Sequence, residues 1–302
     1  MRVIVMHNPR SGRGQAGRLS ARIVARLRAD GHDVEGVSAV ARGQADLSDA
    51  GALVLIGGDG TVSYATDAAI EARVPVYHAG TGNENLFART FGMRRSPEAV
   101  AAAVAAARIG TSDIVRVRGR PVLMMLSVGI DSGVIHRVAA TRQFALGHFA
   151  YVEPVARAIV RPHLPPVTVV VDGRVLAHNE PGQLIIANTR AYALGIDPAR
   201  GAAPTTGRLH AAFVPARSAA RVACAFGALR LGSQPKALRT DAGTRAVVLT
   251  SEPMHPQADG EAWVLAGPGS RPPNGRSADQ SAEHRLEAMV EPGSLRVLLP
   301  GP

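Results

Sequence analysis

The sequence predicts an α/β protein with an N-terminal doubly wound, mostly parallel sheet and a C-terminal β-sandwich-like domain. In the first part of the chain, short apolar strands alternate with helical patterns, which is typical of βαβ units. From Asp113 onward the pattern changes to short strands separated by turn signals such as Asp172-Gly173. We therefore predict two domains, an α/β domain over residues 1–118 and a β-rich domain over residues 119–302.

The first predicted elements form a strand, a helix and a second strand. Val3–Met6 is typical of a buried parallel strand, and residues 15–30 place apolar side chains on one helical face. A short strand is expected between His32 and Val40. The loop at residues 7–14 is rich in glycine, arginine and serine, and it follows a strand end, where open α/β sheets bind ligands.

The next strand leads into a glycine turn that carries one carboxylate and one hydroxyl group. Leu53–Ile56 is apolar and is followed by Gly57-Gly58-Asp59-Gly60-Thr61. Three glycines let the backbone approach a ligand and turn its N–H groups toward phosphate, and the helix that follows favours anions at its N-terminus. Asp59 would repel phosphate unless it holds Mg²⁺ or takes a proton from an attacking hydroxyl group. A helix-capping aspartate in a tight turn is the alternative.

A second glycine-threonine turn follows the fourth predicted strand, Val74–His78. Its sequence is Gly80-Thr81-Gly82-Asn83, and its place at a neighbouring strand end would close a phosphate site from the other side. Ser96-Pro97-Glu98 then predicts the start of an alanine-rich helix with a structural role. Ser96 would cap this helix, Pro97 suits its first turn, and Glu98 is a favourable acid near its N-terminus.

The C-terminal half contains several predicted strands, one helical stretch and one insertion. The strands are expected at residues 114–118, 122–128, 167–171, 184–187, 209–214 and 246–250. Residues 132–161 are expected to form two short helices, with 144–160 suited to an acyl-chain pocket or to packing on the sheet. Residues 267–284, rich in Gly, Pro, Ser and Arg, predict a flexible insertion, and residues 290–300 predict a closing strand.

Composition favours membrane lipid over nucleic acid as the acidic partner of this basic chain. The formal net charge is +10 and the pI is about 11.1, whereas aromatic residues are 4% and do not alternate with basic ones. No run of about 20 apolar residues predicts a membrane span. The single cysteine, Cys224, allows no intramolecular disulfide and is expected to be a small buried residue.

Four motifs resemble the diacylglycerol kinase catalytic-domain family, which includes bacterial lipid kinases, sphingosine kinases and ceramide kinases. In the order of that family they are Asn8-Pro9-Arg10-Ser11-Gly12, Gly57-Gly58-Asp59-Gly60-Thr61, Gly80-Thr81-Gly82-Asn83 and Asp259-Gly260-Glu261. The resemblance covers roughly residues 1–266 and the final strand. It implies an NAD kinase/diacylglycerol kinase-like fold. It also implies a kinase that uses ATP and Mg²⁺ to transfer the γ-phosphoryl group to a lipid hydroxyl, diacylglycerol or sphingoid-like, with the reaction held between the two domains.

The same resemblance assigns roles to individual residues. The nucleotide-contacting residues would be Asn8, Pro9, Arg10, Ser11, Gly12, Ser38, Gly57, Gly58, Asp59, Gly60, Thr61, Gly80, Thr81 and Asn83. Glu261 is the first choice for the catalytic base and Asp59 the second, with Asp259 a third catalytic residue. Asp59 and Asp259 would hold Mg²⁺. An Asp-Gly hairpin turn with a surface glutamate would also explain the last motif.

Asp131 is the predicted substrate contact. It stands in Gly129-Ile130-Asp131 after a strand, where sphingosine-kinase-like members place an acid near the acceptor hydroxyl. A turn-capping aspartate explains this position equally well.

The chain departs from the family pattern at four positions and by one extra residue before Phe87. Ser63 and Tyr64 stand where many bacterial members have Asn-Glu. Thr206 replaces an aspartate that binds a structural magnesium ion, so we expect no second metal site. His78 replaces a proline, and we expect it to be a packed histidine rather than a proton-transfer group.

Two other functions stay open at this stage. An NAD kinase-like enzyme shares the Gly-Gly-Asp-Gly turn, although the Gly-x-Asn-x-Gly-x-Leu-Gly-Phe segment of that family is not found after the fourth strand. A catalytically inactive lipid or nucleotide sensor would explain the departures. For the kinase we expect a cytoplasmic protein acting on lipid at the inner membrane face, with a homodimer as one assembly to test.

Overall fold

The computed structural model describes residues 1–39, 45–141, 162–190, 192, 195–252, 254–263 and 285–301. The chain divides into two compact units. The first unit comprises Met1–Ile114 and Glu291–Pro302, and the second comprises Val115–Val290.

The first unit contains a parallel sheet with helices in its crossover connections. Its strands are β1 (Arg2–His7), β2 (Asp33–Ser38), β3 (Ala52–Gly57) and β4 (Val76–Gly80), together with the start of β5 (Ile109–Val117) and the end of β15 (Arg285–Leu298). Its helices are a 3₁₀ turn (Ser11–Gly14), α1 (Gln15–Ala29), α2 (Asp59–Glu71), α3 (Leu86–Thr90) and α4 (Pro97–Ala106). The strand order is β2-β1-β3-β4-β15, and every neighbouring pair is parallel.

Local sequence explains these elements. Leu53–Ile56 in β3 is completely buried, as expected for a central parallel strand covered on both faces. Helix α1 buries a stripe that includes Ile23 and Leu27. Helix α4 begins as predicted, because Ser96 Oγ accepts a hydrogen bond of 3.1 Å from the N–H of Ala99.

The second unit is rich in antiparallel strands. Besides the end of β5 and the start of β15, its strands are β6 (Arg120–Val122), β7 (Met125–Val128), β8 (Pro166–Val171), β9 (Arg174–Ala187), β10 (Leu209–Pro215), β11 (Arg239–Gly243), β12 (Arg245–Thr250), β13 (Gln257–Ala258) and β14 (Glu261–Ala262). Its described helices are α5 (Ile130–Thr141) and α6 (Ala219–Arg230).

The long strand β9 belongs to two strand sets of this unit. Its first half pairs with β8, which continues through β12 to β15, and its second half pairs with β7 and β10. Strand β7 also pairs with the β13–β14 hairpin. One buried cluster takes apolar side chains from both sets, among them Val169 and Val248 from the first and Leu184 and Phe213 from the second. This arrangement confirms the predicted α/β class with parallel N-terminal strands and a strand-rich, sandwich-like C-terminal region.

Three further predictions concern residues 132–161, residues 267–284 and Cys224. The helical stretch at 132–161 is described only as far as Thr141, and the insertion at 267–284 lies outside the described residues. The prediction that Cys224 is buried is wrong. Helix α6 buries positions that include Val222 and Ala225, so Cys224 falls on its outer face.

Candidate active site

The carboxyl ends of three neighbouring parallel strands meet at one edge of the first unit. Gly57 is paired with Gly80, and Ile56 is paired with both His7 and Ala79. The loops that follow β1, β3 and β4 therefore leave the sheet side by side, where open α/β sheets bind ligands. We call residues 8–12, 57–61 and 80–85 the three-loop site.

Close backbone contacts explain the glycines of the three-loop site. A Cβ atom on Gly82 would lie 2.8 Å from the Cα atom of Gly58, and one on Gly12 would lie 3.0 Å from the carbonyl oxygen of Thr81. Gly12 also has a φ of +59°, which L side chains rarely adopt. Any side chain at Gly82 or Gly12 would force these loops apart.

Hydroxyl groups from all three loops lie in the site. Ser11 Oγ and Thr81 Oγ1 are 2.9 Å apart and share a hydrogen bond. Thr61 is 4% exposed, and its Oγ1 atom has no hydrogen-bond partner among the residues that the structure describes. Burying a hydroxyl group without a partner is costly, so the Thr61 hydroxyl is suited to a bound ligand oxygen.

Asp59 joins the second loop to the helix that follows the third. Its Oδ2 accepts a hydrogen bond from the N–H of Leu86 and its Oδ1 one from the N–H of Phe87, both at 3.0 Å. Asp59 begins α2 but caps the N-terminus of α3. Helix capping is the structural alternative considered from the sequence. A carboxylate has about four acceptor positions, so two remain for another ligand.

His78 lies beneath the second loop and is completely buried. Its Nε2 is 3.0 Å from the carbonyl oxygen of Gly57, which also accepts the N–H of Thr81 at 2.7 Å. In the described part of the chain, no partner is found for Nδ1 of His78. Burial lowers the pKa of His78, while the Asp59 carboxylate and the Gly57 carbonyl group oppose this shift. A neutral His78 that donates from Nε2 supports the glycine turn, as expected of a packed histidine.

The other residues predicted to contact the nucleotide lie in different parts of the first unit. Asn8 Oδ1 accepts the N–H of Arg10 at 3.0 Å, which shapes the first loop, and Pro9 and Arg10 are exposed. Ser38 ends strand β2 at the edge of the sheet, paired with His7. Asn83 is exposed.

Asn85, which the sequence analysis missed, fixes the third loop. Its Oδ1 accepts the N–H of Gly82 and its Nδ2 donates to the carbonyl oxygen of Gly82, both at 2.8 Å. A Cβ atom on Gly80 would lie 2.6 Å from the Asn85 side chain. The sequence signal was the second asparagine just before the apolar start of α3, a typical turn residue with a positive φ.

In the second unit, Asp259 anchors the turn between β13 and β14. Its carboxylate accepts the N–H groups of Leu123 at 2.9 Å, Met124 at 2.8 Å and Met125 at 3.1 Å. Asp259 and Gly260 have φ values of +51° and +80°, as in a tight hairpin turn. The structural alternative for this motif is therefore present, and it occupies most of the acceptor positions of Asp259.

Glu261 differs from Asp259 in its surroundings. It is exposed at the start of β14, and among the described residues no hydrogen-bond partner is found for its carboxylate. The Glu261 side chain is therefore accessible from solvent.

Asp131 is surrounded by side-chain donors. Its Oδ2 accepts the hydroxyl groups of Ser127 and Tyr192, each at 2.5 Å, and its Oδ1 accepts Gln183 Nε2 at 2.7 Å. Burial and the Asp131 carboxylate raise the pKa of Tyr192 well above its usual value. None of these donors carried a recognisable sequence motif, since each lies on a different strand or loop.

Gln257 connects this cluster to the Asp259 turn. Its Nε2 lies 2.7 Å from Ser127 Oγ and 3.5 Å from Asp131 Oδ2, while its Oε1 accepts the N–H of Gly260 at 2.9 Å. The two acidic motifs of the second unit are therefore linked through one buried amide.

Two features are missing from the described residues. No helix there combines the length and apolar content that crossing a membrane would need. No group of three or more His, Cys, Asp or Glu side chains there is placed to hold a metal ion on its own.

Comparison with protein families identifies the N-terminal part of the chain. Residues 2–117 match the family model described as the diacylglycerol kinase catalytic domain. This N-terminal part of the chain is therefore similar to the diacylglycerol kinase catalytic domain. All residues of the three-loop site lie within the matched range, which confirms the resemblance predicted from the motifs. No curated protein sequence matches significantly.

Solved structures support the fold of this chain. Three are proteins of Bacillus anthracis str. Sterne described as diacylglycerol kinases, two of them only provisionally. The TM-scores are 0.74, 0.71 and 0.66 at 18%, 17% and 15% identity; each match covers 99% of this chain and 95%, 97% and 96% of the other chain, respectively. At such identities the likeness establishes the fold alone.

Proposed function

We propose that this protein is an ATP- and Mg²⁺-dependent lipid kinase that transfers the γ-phosphoryl group to a hydroxyl group of diacylglycerol or a sphingoid-like lipid. The observation that supports this most directly is the three-loop site within a diacylglycerol kinase catalytic domain. Its glycine backbone and its unpartnered Thr61 hydroxyl fit a polyphosphate. The proposal includes cytoplasmic action on lipid at a membrane surface.

Each loop would perform a distinct task in binding the nucleotide. Backbone N–H groups of the glycine turns would face phosphate oxygens, and Thr61 Oγ1 and the Ser11–Thr81 hydroxyl pair would donate to them. The exposed Arg10 would neutralise phosphate charge, because lysine is absent from this loop. Positioning and charge neutralisation supply most of the rate in phosphoryl transfer.

Asp59 fits the requirements of a magnesium ligand better than Asp259 does. Mg²⁺ is usually held by one or two carboxylates together with substrate phosphates, and it neutralises charge on the transferred group. Asp59 has two free acceptor positions, whereas Asp259 accepts three amide groups. We therefore propose Asp59 as the principal ligand and keep Asp259 as a predicted second one.

Glu261 is the proposed general base. Its exposed carboxylate has no partner among the described residues, so it can take the proton of an acceptor hydroxyl group. Asp59 remains the second candidate.

Transfer of labelled phosphate from ATP tests the proposal. Purified protein with Mg²⁺ is offered diacylglycerol, a sphingoid base, ceramide and NAD separately, and Asp59→Asn and Glu261→Gln are compared with wild type. Glu71→Gln, an exposed carboxylate at the end of α2, serves as the matched control. We expect a phosphorylated lipid with wild type and the control, and at least a 100-fold lower kcat in both test variants.

The other outcomes separate the alternatives. Phosphorylated NAD would replace the lipid kinase by an NAD kinase-like enzyme. ATP binding without any phosphorylated acceptor would favour a catalytically inactive sensor.

A further inference from the structure

The positive charge of the chain is concentrated in one segment of the second unit. The 43 residues between Asp197 and Asp241 contain seven of the 34 lysines and arginines and none of the 24 carboxylates. This segment therefore carries +7 of the formal net charge of +10. It includes helix α6 and Lys236, the only lysine in the sequence.

Most of these cations have no ion-pair partner among the described residues. Arg239, the first residue of β11, forms an ion pair with Glu180 at 2.6 Å. Within the described ranges, no ion pair is found for Arg217, Arg221, Arg230, Lys236, Arg200 or Arg208. The guanidinium group of Arg200 instead donates to the carbonyl oxygen of Gly232, which brings a further cation to the C-terminal end of α6.

The same helix end presents a large apolar side chain to solvent. Leu231 is 87% exposed, more than any other large hydrophobic residue in the described part of the chain. Leu231 is the C-terminal cap of α6, and its N–H donates to the carbonyl oxygens of Gly227 and Ala228. The inward face of the helix is buried. The side chain of Leu231 is therefore held outward by a packed helix. We call Arg200, Arg230, Leu231 and Lys236 the α6 tip.

We propose that the α6 tip docks onto anionic phospholipid membranes, with Leu231 entering the bilayer interface and Arg200, Arg230 and Lys236 binding lipid phosphates. Cations around one exposed apolar side chain complement a surface that is anionic outside and apolar beneath. Phe226, the aromatic residue of α6, is partly buried and packs on Tyr192 at a centroid distance of 5.7 Å, so stacking on nucleic-acid bases is not favoured. The inference rests on the proposed function in one respect, namely that the acceptor lipid is presented by a membrane.

Vesicle sedimentation of the full chain tests this docking without requiring turnover. Vesicles of phosphatidylcholine are compared with vesicles that contain 30% phosphatidylglycerol. We expect binding to the anionic vesicles that weakens between 50 and 500 mM salt, and little binding to the neutral ones. The Arg230→Gln/Lys236→Gln double variant should bind about 30-fold more weakly, from roughly fivefold per cation.

Matched variants separate docking from general effects of charge or polarity. Arg95→Gln/Arg108→Gln removes two exposed cations from the first unit, and Met289→Gln removes a half-exposed apolar side chain elsewhere. These controls should bind like wild type, whereas Leu231→Gln should bind about tenfold more weakly. Circular dichroism should be unchanged, because all substituted side chains are exposed.

Some results would overturn the proposal. These are equal vesicle binding by the α6-tip variants and their controls, equal binding to neutral and anionic vesicles, or binding of RNA in place of vesicles. Phosphorylation of a short-chain, detergent-dispersed diacylglycerol should be the same in wild type and the α6-tip variants. Loss of vesicle docking with this activity intact supports membrane docking through the α6 tip. Absence of this activity in wild type would contradict the kinase proposal alone.

Discussion

Replacing Asp259 by asparagine should destabilise the second unit, because the Asp259 carboxylate holds three buried backbone amides. Leu123 and Met124 are 1% exposed and Met125 is 6% exposed, so none of their N–H groups can turn to water instead. Asparagine tolerates the positive φ of this position, so the substitution changes the acceptor while leaving the turn conformation accessible.

The size of the effect follows from counting acceptors. The asparagine carbonyl oxygen can keep Met124 and Met125, but its NH₂ group faces the Leu123 N–H and leaves it unpaired, at a cost of about 1–3 kcal/mol. The two remaining hydrogen bonds lose their charge assistance, which roughly halves their strength. We expect the free energy of unfolding to fall by about 2–4 kcal/mol.

Fluorescence of Trp263 makes the measurement specific to this hairpin. Trp263 is the only tryptophan, it is 5% exposed, and the Arg120 guanidinium carbon lies 4.9 Å from its ring centroid. In urea, with a slope of about 2 kcal/mol per molar, a loss of 3 kcal/mol lowers the midpoint by about 1.5 M. Glu261→Gln is the paired control and should change stability by less than about 0.5 kcal/mol.

Two results would refute this reasoning. An unchanged midpoint for Asp259→Asn would mean that the three amides do not depend on the carboxylate. Equal destabilisation by Glu261→Gln would mean that Glu261 has a structural partner in the folded protein.

Three further predictions concern Gly82, Tyr192 and His78. Gly82→Ala should raise the KM for ATP at least tenfold, because its methyl group meets the backbone of the neighbouring loop at Gly58; Gly17→Ala, with open space around it, should leave KM unchanged in the same assay. Tyr192→Phe should lower the free energy of unfolding by about 1–2 kcal/mol in urea, since it removes a buried donor to a carboxylate. For His78 the folded-state pKa is lowered, so the unfolded chain binds the proton first. The contribution of neutral His78 to the free energy of unfolding is therefore present above about pH 6.5 and is lost as the pH falls below that value. Thermal unfolding at pH 7.5 and 5.5 should show a smaller acid-dependent loss of Tm for His78→Gln than for wild type.

The sequence predicted the first unit well because its signals are local. A short apolar strand followed by a glycine turn can be read from a few adjacent residues, and parallel strands bring such turns together at one edge. The positions of Gly57 and Gly80 therefore followed from pattern alone. Asp59 shows the limit of this approach, because its amide partners at Leu86 and Phe87 lie 27 and 28 residues away.

The second unit was harder to predict because its polar contacts are non-local. Asp131 is held by donors that include Gln183, Tyr192 and Gln257, which are 52 to 126 residues away and belong to no motif. Periodicity identifies strands but does not say which strands pair, so these partners could not be found before the register was known.

The closing strand affects the order in which this chain can mature. The last residues of β15 complete the first unit beside β4, where Val297 pairs with Val76, and Asp113 accepts the N–H of Gly293 at 2.7 Å. During synthesis, the whole of the second unit leaves the ribosome before those residues do. Until then β4, with its buried Val76, Tyr77 and Ala79, is an unpaired apolar edge, the kind of edge to which chaperones and other nascent strands bind.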